Sequence, residues 1–293
     1  MTAPATRRRR LKHWLELFAF RLFVRPVLWL PYATRIRFFG ALAQYALAPV
    51  SGVRKRIRAN LAHVFPDLPK PEVERLCGAV VNNAARAFIE MLSGAEFARH
   101  IAGTPMEGPG VAALDAAHEQ GRPVVLVTGH LGNYDVARAV MSARGYRVAG
   151  LYAPMTNPLV NRHYVAAIES IAKPLFPRGR EGMAGMLRFL RSGGMLGVVI
   201  DQYMKHGEPL DFLGKPAPTA LSAAEMALKY QALLVPGYVI RQPDGLSFRI
   251  HMEDPVPHSD PVTMTQALND SLSEKVRQHM DQWFWLHRRW IRH

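Results

Sequence analysis

The sequence predicts an α/β fold: a mainly parallel central sheet flanked by helices, preceded by a helical, basic N-terminal region. Three observations carry this expectation. Short β-rich apolar runs, among them Val124-Val125-Leu126-Val127 and the stretches 147–152 and 195–200, alternate with helical stretches, as in a parallel sheet. Later, two strand-like runs, 233–241 and 246–252, flank Pro243-Asp244-Gly245, a turn signal that calls for one antiparallel hairpin. Finally, thirteen of the 37 Lys/Arg lie in the first sixty residues beside a single acid, Glu16, so that fifth of the chain holds +12 of the net +14.

The composition suits a folded chain. Of 293 residues, 49% are apolar and 20% charged, outside the range of disordered chains. The 22 glycines and 22 prolines are dispersed, which excludes a collagen-like or linker-dominated chain. The single cysteine, Cys77, excludes an intrachain disulfide framework and any zinc site with two cysteine ligands. No histidine pair at i,i+4 offers a metal site, and no metal or other cofactor is expected.

In chain order, residues 1–53 read as a basic amphipathic membrane-associating segment and 54–293 as a single domain. The first segment interleaves arginines with Trp14, Phe18, Phe20, Phe23 and Trp29. Its longest charge-free run, Phe38 to Val53, is 16 residues and contains Pro49, short of the ~20 that a spanning helix needs. Arg21 and Arg25 interrupt the apolar stretch that a signal peptide would require. The pattern fits a helix lying in the interface of an anionic membrane. A core helix with a solvated basic face, or a nucleic-acid arm, is the alternative; free arms are usually polar, which this one is not.

Helices follow at 55–64, stopped near Pro66, and at 71–92, with Pro71 in the first turn and Val73, Leu76, Val80, Ala84 and Phe88 on one face. The strand 124–127 leads through a glycine turn into a helix from about Asn133. The strand 147–152 precedes a helix from about Asn157. A helix over 181–191 precedes the strand ending at Ile200-Asp201. A helix over 220–230, the hairpin and a helix over 262–283 complete the chain.

The segment Thr128-Gly129-His130-Leu131-Gly132-Asn133-Tyr134-Asp135 begins where a buried strand ends, the side of an α/β sheet where ligands bind. Residues five apart on a continuous helix point ~140° apart. With Gly129 and Gly132 breaking the helix, Asp135 can fold back onto His130, fixing the imidazole as a general base. A helix-capping Asn133 beside an unrelated His130 is the plain alternative. Neither a Gly-x-Ser-x-Gly nucleophile motif nor a phosphate loop is present; Gly214-Lys215 runs into Pro216.

The motifs extend well beyond this segment. They include Asn60-Leu61 with Phe65-Pro66, Gly129-His130…Asp135, Tyr152-Ala153-Pro154 with Asn157-Pro158, Arg180 ahead of Gly193-Gly194, Asp201-Gln202, Phe212-Leu213-Gly214 and the terminal Gln282-Trp283-Phe284-Trp285-Leu286-His287-Arg288-Arg289-Trp290. In this order they resemble the lipid A biosynthesis (lauroyl/myristoyl) acyltransferases of the lysophospholipid acyltransferase superfamily, whose signature is His, four residues, then Asp or Glu. The resemblance implies an O-acyltransferase on the cytoplasmic face of the inner membrane. It implies transfer of a fatty acyl chain from acyl carrier protein to a hydroxyl of a lipid A precursor. His130 would take the hydroxyl proton, Asp135 would orient it, and no acyl-enzyme would form. Arg180, Asp201 and Asn133 are the substrate-binding candidates: Arg180 for a phosphate or the thioester oxygen, Asp201 as an acid facing the pocket. A solvated arginine and a loop-capping aspartate are their plain alternatives.

Lipid A members usually carry Glu where this chain has Asp135, and often Tyr-Arg-Pro where it has Tyr152-Ala153-Pro154. Both departures bear on the acceptor, leaving another glycolipid or polar lipid, and acyl-CoA as donor, as the close alternative. The different-class alternative is a non-catalytic membrane- or nucleic-acid-binding protein. The terminal aromatic and basic residues fit core packing with solvated charge, with a lipid- or partner-contacting element as the alternative.

Overall fold

The computed structural model describes residues 7–290. The start of the basic segment, residues 1–6, and the last three residues lie outside the described residues. Seven strands form one sheet in the order β1 (Met106–Glu107), β9 (Phe248–Met252), β8 (Leu233–Arg241), β2 (Val124–Thr128), β5 (Met195–Val199), β3 (Val148–Tyr152), β4 (Leu175–Pro177). From β8 to β4 every pair is parallel; β8 and β9 pair antiparallel, and β1 runs parallel to β9. This is the mixed, mostly parallel sheet that the alternating pattern predicts. The central strand β2 has its first four residues buried, as a strand covered on both faces must be.

The helices are α1 (Arg7–Leu28), α2 (Tyr32–Leu42), α3 (Val53–Val64), α4 (Lys70–Leu92), α5 (Ala95–Ile101), α6 (Gly110–Glu119), α7 (Asp135–Ala143), α8 (Pro158–Ile171), α9 (Arg180–Arg191), α10 (Ser222–Tyr230) and α11 (Pro261–Gln278). A π-helical turn over Ala43–Leu47 continues α2. Two start where the sequence supplies a cap: Asn157 accepts from the amides of Leu159 and Val160, and Asp260 from those of Val262 and Thr263. Two buried clusters cover the two faces of the sheet. One includes Leu61, Leu76, Val127, Leu196, Leu234 and Leu272; the other Phe97, Leu126, Val136, Val140, Val148 and Ile250.

Three local features depart from expectation. The final helix stops at Gln278 rather than near Trp283, because residues 279–290 turn inward. There Trp283 and Trp285 are fully buried, with Trp290 nearly so. These tryptophans are core, the favoured of the two readings, and burial of such large side chains outweighs continuing a helix. Second, β6 (Glu208–Phe212) and β7 (Lys215–Thr219) form a separate hairpin. Its two-residue turn has Leu213 and Gly214 both at positive φ, 58° and 82°. Pro209, Pro216 and Pro218 hide these strands from a sequence pattern; a two-stranded ribbon tolerates them because each strand is an edge. Third, the two-residue β1 is too short to be seen in sequence.

In the basic segment, α1 packs against α8 through a narrow strip and α2 against α4. Leu17, Val24 and Val27 of α1 are buried, while Leu11, Trp14, Leu15, Phe18 and Leu22 are exposed. Among the described residues no helix is long and apolar enough to cross a membrane.

Candidate active site

The site is built on the loop from β2 to α7. Gly132 holds φ 59°, and a side chain there would collide with the Val239 carbonyl oxygen. Only glycine makes this turn this close to β8. The inward-turned C-terminal segment clamps the loop: the Gly132 amide donates to the Gln282 carbonyl at 3.1 Å, and the Phe284 amide to the His130 carbonyl at 2.9 Å. The last turn of the chain thus fixes the backbone of the candidate base.

His130 is partnered by Asp201, at the end of β5. Its Nδ1 lies 2.7 Å from Asp201 Oδ1, and its backbone amide donates to Oδ2 at 2.6 Å. Trp283 Nε1 donates to the same Oδ2 at 2.8 Å. Asp201 is completely buried, yet three donors satisfy it. Burial disfavours its charge, but the His130 imidazole and these hydrogen bonds prevail and hold its carboxyl well below the usual carboxylate range. Burial likewise disfavours protonation of His130; the facing carboxylate overrides it, so the imidazole pKa stands above its ordinary 6.5. With Nδ1 committed to Asp201, Nε2 is the open, basic nitrogen. A second imidazole, His287, packs edge-on to His130 with ring centres 4.6 Å apart. Burial pushes its pKa down to about 4, helped by the neighbouring His130.

His130 opens into a cavity of about 610 Å³. Its walls are largely apolar, with Met141, Val148 and Ile168 among the residues on one side of the sheet and Met186, Leu187 and Met226 on the other. Six of the chain's thirteen methionines line it, flexible side chains that conform to a flexible ligand. Its polar lining includes His130, Asp135, Arg138, Arg178, Glu225 and Lys229.

The structure corrects several expected roles. Asp135 does line this cavity, but no hydrogen bond joins it to His130; its Oδ1 accepts from Arg138 Nη2 at 2.8 Å. As the first residue of α7 it points along the helix to Arg138 one turn on, rather than back over the loop. Asp201 faces the imidazole rather than the cavity. Asn133 does not line the cavity: it is buried, its Nδ2 donating to Glu90 and its Oδ1 accepting the Asp135 amide, so it serves the helix start. Arg180 is exposed as the first residue of α9 and stands outside the cavity, which Arg178 lines instead. Sequence spacing favoured Asp135 over Asp201 because it sees five residues and not seventy-one. The available signal was that His130 and Asp201 each follow a β-rich run, and the loops after strands of a parallel sheet share one edge, as the Thr128–Val199 pairing of β2 and β5 shows here. His287 and Trp283 stand out in sequence only as members of the terminal motif, with nothing that ties them to His130.

Comparison with known proteins bears on this arrangement. Curated relatives include the phosphatidylinositol mannoside acyltransferases of two Mycobacterium tuberculosis strains, CDC 1551 / Oshkosh and H37Rv, each 22% identical over 249 residues, 82% of this chain and 78% of theirs. Among solved structures, the 1-acyl-sn-glycerophosphate (LPA) acyltransferase PlsC from Thermotoga maritima aligns with a TM-score of 0.38 and 11% identity, covering 84% of this chain and 97% of that one. The model of the bacterial lipid A biosynthesis acyltransferases matches residues 1–292. The chain is thus an acyltransferase and belongs to the bacterial lipid A biosynthesis acyltransferase family.

Proposed function

We propose that this acyltransferase moves a fatty acyl group from a carrier thioester to a hydroxyl of a glycolipid headgroup at a membrane surface, with a lipid A precursor as acceptor and acyl carrier protein as donor. The observation that carries the reading is the His130–Asp201 contact of 2.7 Å, with Nε2 open to an apolar cavity. Nε2 takes the acceptor hydroxyl proton as the oxygen attacks the thioester carbonyl. The C–O bond forms, the C–S bond breaks, and the imidazolium returns its proton to the leaving thiolate. Asp201 steadies the imidazolium throughout. No side-chain nucleophile is required, and Cys77 is buried in α4 with its pKa raised by that burial.

The apolar walls suit an acyl chain, and the exposed Arg178 and Lys229 at the rim suit an anionic group of donor or acceptor. The basic N-terminal fifth suits both an acidic carrier protein and an anionic leaflet. The exposed stripe of α1 supports association with the cytoplasmic face of the inner membrane. A second reading keeps the chemistry and changes the acceptor to a mannosylated or other glycolipid, with acyl-CoA as donor. Its acceptor is favoured by the likeness to acyltransferases named for a phosphatidylinositol mannoside.

His130→Ala tests the reading. Purified variant is expected to lose at least about 10³-fold in acyl transfer, followed by mass spectrometry of the lipid product, with an unchanged melting temperature. Transfer at more than about a tenth of the wild-type rate refutes it.

A further inference from the structure

Asp135 is a carboxylate with no assigned work once Asp201 occupies the imidazole. Its surroundings show what it is prepared for. Arg138 Nη2 and Nε both address its Oδ1, at 2.8 and 3.3 Å. Arg138 is itself buried and anchored to the carbonyl oxygens of Ile168 and Ala172, at the end of α8. The carboxylate is therefore held from one side only. Its Oδ2 has no hydrogen-bond partner among the described residues, and Asp135 lines the same cavity as His130. Its side chain keeps 14% exposure.

A carboxylate oxygen facing a largely apolar cavity needs a donor when the cavity fills and water leaves. The acyl chain and the thioester carry none. The acceptor does, provided it has a hydroxyl besides the one being acylated. The reacting hydroxyl belongs to His130 Nε2; a second one is the donor that matches Oδ2. We infer that Asp135 binds a second hydroxyl of the acceptor headgroup, so that this site selects a polyol, a sugar-type ring, over a lipid with a single hydroxyl. Asp201 alone then orients the imidazole, and Arg138 holds the Asp135 carboxylate in place from one side. The inference rests on the acyl-transfer reading above and adds to it a specificity-determining residue.

The test uses the full chain with a long-chain acyl thioester as donor. The acceptors are a lipid with an unsubstituted hexose headgroup, its set of single-deoxy analogues, and a lipid bearing one hydroxyl. For wild type, one deoxy analogue other than that lacking the acylated hydroxyl is expected to lose about 10–100-fold in kcat/KM, the loss of one charge-assisted hydrogen bond. Asp135→Asn is expected to lose a similar factor on the intact acceptor, mainly through KM, and no longer to distinguish that analogue. The acid limb of its pH profile is expected to match wild type. The analogue series on wild type reads the same interaction with no variant, so it stands even if Asp135→Asn folds poorly. Three results would each overturn the inference: wild type indifferent to every such deletion, undiminished kcat/KM on the single-hydroxyl lipid, or an Asp135→Asn enzyme losing kcat equally on all acceptors with a displaced acid limb. Retained transfer by His130→Ala would instead sink the underlying reading, and leaves a different signature.

Discussion

His130 meets Asp201 across a gap of seventy-one residues, and the pair has opposite consequences for activity and stability. A base must be neutral to act. Because the carboxylate raises the imidazole pKa above 6.5, kcat/KM is expected to fall as pH drops through that raised value and to recover above it. Asp201→Asn removes the attraction. The acid limb should then shift to lower pH while kcat falls by roughly 10²–10⁴, since the imidazole loses both its orientation and its partner. A kcat/KM profile for the two proteins checks this; an unmoved limb would show that Asp201 does not govern His130. Stability runs the other way. The depressed Asp201 contributes above its unfolded pKa of about 3.9, and its contribution is lost as pH falls. The raised His130 contributes fully below about 6.5, and its contribution is lost as pH rises through the folded value. The pair therefore stabilises most between about pH 4 and 6.5, where the base is largely protonated. The melting-temperature deficit of Asp201→Asn should be greater near pH 5 than near pH 9.

Among the elements, α1 is apolar on two opposite faces. Leu17, Val24 and Val27 turn inward, while Leu11, Trp14, Leu15, Phe18 and Leu22 recur at spacings of three and four on the other side, in water. Burying each such side chain contributes about 1.5–3 kcal/mol. Replacing Trp14, Phe18 and Leu22 together by serine is therefore expected to weaken affinity for anionic phospholipid vesicles by at least about a hundredfold, read by sedimentation. Acyl transfer to a detergent-dispersed acceptor should persist, because none of the three touches the cavity. Unchanged sedimentation would remove the case for this face as the membrane-contacting one. The elements themselves were unevenly legible. The helix starts marked by Asn157-Pro158 and Asp260-Pro261 and the strand β2 announce themselves, because a cap or a buried apolar run is a local property. The hairpin of β6 and β7 does not: its prolines break the pattern, and its register depends on a positive-φ turn at Leu213-Gly214.

Across the whole molecule, one buried ionic group links parts that carry the site. Arg241 of β8 donates to both oxygens of Glu90 on α4, at 2.5 and 2.8 Å, and to Asn83 at 2.8 Å. Glu90 also accepts from Asn133 at the start of α7, so α4, β8 and the His130 loop meet in one polar knot inside apolar surroundings. Removing one partner leaves an uncompensated buried charge. Glu90→Leu is expected to cost about 3–5 kcal/mol in chemical denaturation, and the double change with Arg241→Met to recover much of it. A single variant as stable as wild type would show that the knot carries little of the fold. No sequence pattern reveals this group, since a lone Glu in a helix and a lone Arg in a strand look solvated until the packing is known.

The sequence alone determined what depends on neighbours along the chain: the alternation of strands and helices, the glycine turn that presents His130, and the basic N-terminal fifth. Its ordered motifs identified the kind of chemistry. Only the tertiary structure decided which acid faces the imidazole, that Trp283 closes the carboxylate's hydrogen bonds from the far end of the chain, and that Asp135 is left open to the cavity. The reason is physical. Helix caps and apolar periodicity act over a few residues, whereas a buried charge takes its partners from whatever the packed sheet brings within hydrogen-bonding distance, and sequence separation does not measure that distance.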